Sequence, residues 1–138
     1  MDIKEYFKQD RFASGNDMEI IDIAPGYAKS HMRVAEKHCN AVGFCQGGAI
    51  FTLADIAFAA AVNSHGTVTV AASSNITFTR SAQLGQDIYA EAIEVVNHYK
   101  LPYVEVKITD ADGNLIAMLT STGYRKENAS LPIDLPVK

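Results

Sequence analysis

The chain has 138 residues, 48% of them hydrophobic, a formal net charge of −4 and two cysteines; this is the size of one domain with enough apolar material for a core, and a single domain over residues 1–138 is expected. Lys and Arg are scattered without a basic run or an interleaved aromatic platform, which argues against nucleic acid as a partner. Cys39 and Cys45 have no second Cys/His pair nearby, too little for a disulfide framework or a four-ligand zinc site, so reduced thiols and no metal are expected.

The first dozen residues, MDIKEYFKQDRF, mix both charge signs and contain no apolar run of signal-peptide length. The longest apolar stretch, Gly47 to Val62, is interrupted by Thr52 and Asp55 and falls short of the roughly 20 residues that span a bilayer. A cytoplasmic protein without a membrane partner is expected. Ile3, Tyr6, Phe7 and Phe12 share one stripe of an amphipathic helix over about residues 2–12. Met18 to Ile23 and Tyr27 to Val34 read as strands joined at Pro25-Gly26, a hairpin. Glu36 to Gln46 lacks periodicity and reads as a loop feeding a helix at the glycine pair Gly47-Gly48.

The segment from Gly47 to Asn63 is rich in alanine and apolar on every side, the pattern of a helix surrounded by protein. Four segments rich in Val, Ile, Thr and Tyr follow: Thr67 to Arg80, Asp87 to Asn97, Tyr103 to Thr109 and Leu115 to Arg125. Turn-like residues separate them, Asp112-Gly113 being a strong hairpin signal, so an antiparallel meander is expected. The class is α+β, one antiparallel sheet wrapped around one long central helix, with a flexible tail over about residues 127–138.

Asp55 stands in the middle of the apolar helix, where burying an ionised carboxylate costs several kcal/mol unless something compensates. Its neighbours at three and four positions, Phe51, Thr52, Phe58 and Ala59, include no cation. Either it bonds backbone or strand groups and fixes packing, or it belongs to a functional site, where poorly compensated acids concentrate. Gln46-Gly47-Gly48 brings unpaired backbone N–H groups to the helix start, donors suited to polarising a carbonyl, with glycine allowing close approach; the alternative is a plain glycine-containing helix start. From Gly47 to Asp55 is about 12 Å at the ~1.5 Å rise per residue. If both act on one carbon, approaching within about 3 Å, they come from different subunits, so a homodimer or a dimer of dimers is expected.

Asn40 in the loop, Gln46-Gly47-Gly48, Leu53-Ala54-Asp55 and Ile76-Thr77-Phe78-Thr79-Arg80 together resemble the hot-dog-fold acyl-CoA thioesterase superfamily, in its phenylacetate-pathway branch, over roughly Met18 to Arg125. The resemblance implies that Asp55 activates water or attacks an acyl-CoA thioester, that the Gly47 N–H polarises its carbonyl, and that Asn40 positions water or substrate. Gln46 stands where the family usually has His; it can donate a hydrogen bond but cannot become a cation. The family often supplies a Ser or Thr from the strand after the helix, for which Ser73 and Ser74 are the nearest candidates. Gly48, Arg80, Arg125 and Lys126 are candidates for the coenzyme A moiety, cations being suited to its phosphates, with solvated surface charge as the alternative for the cations. Coenzyme A is part of the substrate and no cofactor is implied. His31, His38, His65 and His98 follow no ligand or triad spacing. Two other functions compete: a 3-hydroxyacyl-thioester dehydratase, disfavoured by Gln46 where a His would serve, and a non-catalytic acyl-CoA-binding or regulatory module, disfavoured by the presence of Asp55.

Overall fold

The computed structural model describes residues 1–137, Lys138 of the expected tail lying outside the described residues. In chain order it contains α1 (Ile3–Phe7), α2 (Arg11–Gly15), β1 (Glu19–Ala24), β2 (Tyr27–Arg33), a short 3-10 turn (Glu36–His38), α3 (Gly47–Asn63), β3 (Thr67–Phe78), β4 (Asp87–Val96), β5 (Tyr103–Asp110) and β6 (Leu115–Ser130). The single helix expected over residues 2–12 is two short ones. The Asp2 carboxylate accepts from the Glu5 N–H and the Asp10 carboxylate from the Ala13 N–H; a second capping side chain inside the segment starts a new helix.

All six strands form one antiparallel sheet, in the order β1-β2-β4-β5-β6-β3. The hairpin at Pro25-Gly26 is present, Ala24 facing Tyr27 with Gly26 at φ +70°. β4, β5 and β6 form a meander, but β3 lies beside β6 at the far edge instead of beside β4. β6 is accordingly longer than its apolar pattern indicated. It continues beyond Arg125 to Ser130 because its second half pairs with the start of β3, Thr69 facing Arg125 and Thr67 facing Ser130. The tail expected from residue 127 thus begins as strand, after which the Leu131 N–H donates to the Gly66 carbonyl and the Asp134 N–H to that of Met1.

The core lies between the sheet and α3, which packs on β1 to β6. Alternation along the strands turns Ala28, Ser30 and Met32, Ile88, Ala90 and Ala92, and Val104, Val106 and Ile108 inward. Small residues here let the helix backbone come close. The Ser30 hydroxyl donates to the Leu53 carbonyl at 2.8 Å, and a Cβ on Gly123 would lie 3.5 Å from the Phe58 ring and 3.0 Å from Thr69. Phe58 and Leu53 are almost wholly buried, each worth about 1.5–3 kcal/mol.

The sheet does not enclose α3 completely. Gly48, Phe51, Thr52, Asp55 and Ala59, spaced at helical intervals, are left half-buried or exposed while the other faces are covered. β3, the strand at one edge, is exposed over most of its length, including Val70 and Phe78 at 43% and 49%. Among the described residues no helix is long and apolar enough to cross a membrane.

Candidate active site

Two chemically distinct features sit on α3, one at its start and one in its middle. At the start, Gln46 is the N-cap: its Oε1 accepts from the Gly48 N–H at 2.8 Å, and its backbone carbonyl accepts from the Ala49 and Ile50 N–H groups. Of the two glycine donors expected to be open, Gly48 is therefore satisfied by its own cap. The Gly47 N–H has no acceptor among the described residues. Gly47 borders a cavity of about 530 Å³ shared with Asn40, Phe44, Ile50, Phe78 and Arg80. Phe78 closes on the glycine, a Cβ at Gly47 meeting its ring at 3.0 Å.

Asn40 is held by the loop that carries it. Its Oδ1 accepts from the N–H groups of Val42, Gly43 and Phe44 at 3.0, 3.1 and 3.2 Å, which fixes the amide orientation and leaves its NH2 as the outward donor. Asn40 also borders a second cavity, about 560 Å³, with Phe12, Asn16, Gln46 and Gly48. Behind this loop, buried His38 is held at both ring nitrogens. Nδ1 accepts from the Ala35 N–H, so Nε2–H donates to the Asn16 carbonyl. Cys39 and Cys45 are free thiols facing each other across an antiparallel bridge, and burial pushes the Cys45 thiol up to about 11. Among the described residues no cluster of His, Cys, Asp and Glu is gathered for a metal.

Asp55 lies on the half-open stripe of α3, not in the sealed core expected from its apolar surroundings. Partial exposure makes the carboxylate tolerable there. Burial first, then the like charge of Asp10, raises its pKa, with no donor or cation acting in the other direction. None of the ion pairs among the described residues includes it. It borders a third cavity, about 370 Å³, with Tyr6, Phe7, Phe58, Ala59, Asn63, Val70 and Leu131. Gly47 and Asp55 thus open into different cavities of one chain. Tyr6 and Phe7 were legible in the sequence as part of an apolar helix stripe but not as lining of this site, and Leu131 carried no signal.

The remaining candidates separate. Ser73 is exposed on β3 opposite Thr122, its carbonyl accepting from the Ser121 hydroxyl, and does not border the Asp55 cavity; Ser74 is hydrogen-bonded to Ser121 at 2.8 Å. Arg80 is exposed and borders the Gly47 cavity, and Lys126 is exposed on β6. Arg125 is not a free surface cation. Its side chain is 11% exposed, Nη2 pairs with Glu94 at 3.2 Å, Nη1 donates to Asn97 Oδ1 at 2.7 Å and Nε donates to Thr69 Oγ1 at 3.2 Å. With His65 on the other Glu94 oxygen at 2.7 Å, it closes a polar cluster at the C-terminal end of α3.

One antiparallel sheet folded against a single long helix, with a carboxylate at mid-helix and a bare amide at its start, defines a hot-dog protein. The chain belongs to the thioesterase superfamily, whose family model matches residues 42–117. It is 39% identical over 89% of its length to a protein of Archaeoglobus fulgidus, 80% of which is covered and whose assignment as an esterase is provisional. It is 29% identical to the acyl-coenzyme A thioesterase PaaI of Escherichia coli over 86% of this chain and 85% of that one. The solved structure of that PaaI superposes with a TM-score of 0.87, covering 91% of each chain at 27% identity. A Streptococcus mutans protein solved with bound acetyl-CoA superposes with a TM-score of 0.77 at 25% identity, covering 82% of this chain and 90% of that one. These findings agree with the fold class and family expected from the sequence.

Proposed function

We propose that the protein hydrolyses acyl-CoA thioesters to a carboxylic acid and free coenzyme A, with Asp55 as general base or nucleophile. The observation that carries this reading is the mid-helix carboxylate without a donor or counter-ion, opening on a cavity in a chain of the thioesterase superfamily. In the general-base form, Asp55 takes a proton from water as its oxygen bonds to the thioester carbon. The resulting oxyanion is held by the Gly47 N–H, and its collapse breaks the C–S bond and releases the thiolate, which is then protonated. In this reading the Asn40 NH2 holds water or the carbonyl, and Arg80 and Lys126 meet coenzyme A phosphates.

The site is assembled by a homodimer, or by a dimer of dimers. β3 runs from the Asp55 cavity, bordered by Thr69, Val70 and Ala71, to Phe78 against Gly47, and its outer edge has no partner strand among the described residues. Antiparallel pairing of two copies about the middle of β3, near Ser73 and Ser74, sets the Phe78 end of one beside the Val70 end of the other. The amide of one copy then approaches the carboxylate of the other. Thiol release from a panel of acyl-CoA thioesters, with size-exclusion chromatography on the same preparation, tests this. Dimer-dependent release that disappears in Asp55→Asn is expected, whereas undiminished release by the folded variant, or full activity in a monomer, refutes it.

A further inference from the structure

The cavity beside Asp55 has two kinds of wall. Phe58, Ala59 and Asn63 come from α3, and Val68, Thr69, Val70 and Ala71 from β3; all lie inside residues 42–117, which the family model matches. Tyr6 and Phe7 from α1 and Leu131 from the segment after β6 lie outside that range. Those two segments hold each other in place: the Asp134 N–H donates to the Met1 carbonyl, the Leu131 N–H to Gly66, and Ile3 anchors α1 at 1% exposure.

The lining decides what the cavity accepts. Phe7, Phe58, Val68, Val70 and Leu131 present aromatic and aliphatic surface, and among the described residues no Lys or Arg lines it. The Asn63 amide is already spent, Nδ2 donating to the Ala59 and Thr69 carbonyls and Oδ1 accepting from the Thr69 N–H. Asp55 is the charged residue on the lining, with Asp10 acting on it as a like charge; Arg125, whose Nε donates to the lining residue Thr69, is already paired with Glu94. About 370 Å³ is at the small end of the roughly 300–1,000 Å³ of ligand pockets. An uncharged acyl group of one aromatic ring or a short to medium chain suits this space, whereas a terminal carboxylate meets the like charge of Asp55 and, in Arg125, a cation already paired with Glu94.

We infer that this cavity receives the acyl group, and that Tyr6, Phe7 and Leu131, from segments outside the sheet-and-helix body, determine which acyl groups fit. The inference rests on the thioesterase reading above. Initial rates for acetyl-, hexanoyl-, decanoyl-, phenylacetyl- and succinyl-CoA, followed by thiol release, test it in the wild-type protein and in Leu131→Ala, Tyr6→Ala and Leu131→Phe, with circular dichroism as a check on folding. Hexanoyl- or phenylacetyl-CoA is expected to exceed succinyl-CoA by at least about 100-fold in kcat/KM, in line with a site that leaves a buried charge unpaired. In Leu131→Ala and Tyr6→Ala the decanoyl-to-hexanoyl ratio is expected to rise by about tenfold, and in Leu131→Phe to fall, since pocket contacts of one or two methylenes carry that range. A ratio within about twofold of wild type in the folded variants, with hydrolysis intact, overturns the inference and leaves the thioesterase reading standing. Efficient succinyl-CoA turnover does the same. Absence of hydrolysis across the whole panel removes both.

Discussion

Replacing Arg125 by Met separates a structural cation from a substrate-binding one. The substitution keeps an unbranched stem of similar reach and deletes the guanidinium that pairs with Glu94, donates to Asn97 and Thr69, and bonds the His98 carbonyl. Glu94 is left 3% exposed with His65 as its remaining partner. Breaking a buried pair by removing one member costs about 3–5 kcal/mol, because the other charge remains buried and uncompensated. At about 3–5 °C per kcal/mol for a domain of this size, Tm is expected to fall by roughly 10–20 °C. Differential scanning fluorimetry at matched protein concentration, with urea melts as a second measure, reads that loss, while KM for an acyl-CoA substrate at 20 °C should change little. An unchanged Tm with KM raised about tenfold or more, the ~1.4 kcal/mol of a lost phosphate contact, would overturn this assignment. Arg125 would then be a coenzyme A ligand after all.

Asp55→Asn is expected to lower kcat by at least about 100-fold and to hold or raise stability near neutral pH. A carboxyl whose folded pKa is raised contributes stability below its ordinary titration range and loses it as pH rises through the folded value. The decline in Tm across that window should therefore be absent in the variant, and a variant less stable at neutral pH and still active would mark a structural Asp55. Asp10→Asn, which can still cap α2, should move the acid limb of the kcat/KM profile to lower pH, and an unmoved limb would separate Asp10 from the reacting carboxylate. Gly47→Ala places a methyl 3.0 Å from the end of the half-exposed Phe78 ring, which has room to yield. Stability within about 0.5 kcal/mol of wild type and a kcat/KM reduced at least about tenfold by crowding of the N–H donor are expected, and an unaffected kcat/KM would free that N–H from any catalytic role. Asp87 has the opposite sign to Asp55. The Arg33 and His31 side chains hold its carboxyl down at about 2, so its stabilisation is present above the ordinary Asp range and lost as pH falls towards 2. Asp87→Asn should flatten the Tm profile between about pH 4 and 2, and an unchanged slope counts against the pairing.

The fold was legible where burial imposes a period. Ile88, Ala90 and Ala92 alternate with Tyr89 and Glu91, and α3 is apolar on all sides because strands cover most of it. Pairing across long separations was not legible, because nothing in Thr67–Phe78 distinguishes a neighbour on β6 from one on β4, and the second half of β6 is polar where it meets β3. Asp55 was visible as a carboxylate without a helical partner, and Gly47 as a helix-start donor. Their degree of exposure was not visible, since it depends on which stripe of the helix the sheet leaves open. The pairing of Arg125 was not visible for the same reason: its partner Glu94 is remote in the sequence and brought close only by the crossing of strands. The Asp55 cavity was invisible in outline, because Tyr6 and Leu131 come from opposite ends of the sequence.

The place of β3 in the sheet also bears on how the chain is made. Its one neighbour, β6, is the last strand in the sequence, about 40 residues further on, so at ~5–20 residues per second of synthesis β3 waits some 2–8 s with both edges bare. During that interval it is an open template for any other strand. Ser73, Ser74, Asn75 and Thr77 interrupt its apolar character and so act as gatekeepers against such encounters in the nascent chain. Replacing Asn75 and Thr77, which make no side-chain hydrogen bond among the described residues, by valine or isoleucine is expected to lower the yield of soluble protein with the native Tm unchanged, a defect of synthesis rather than of the native state.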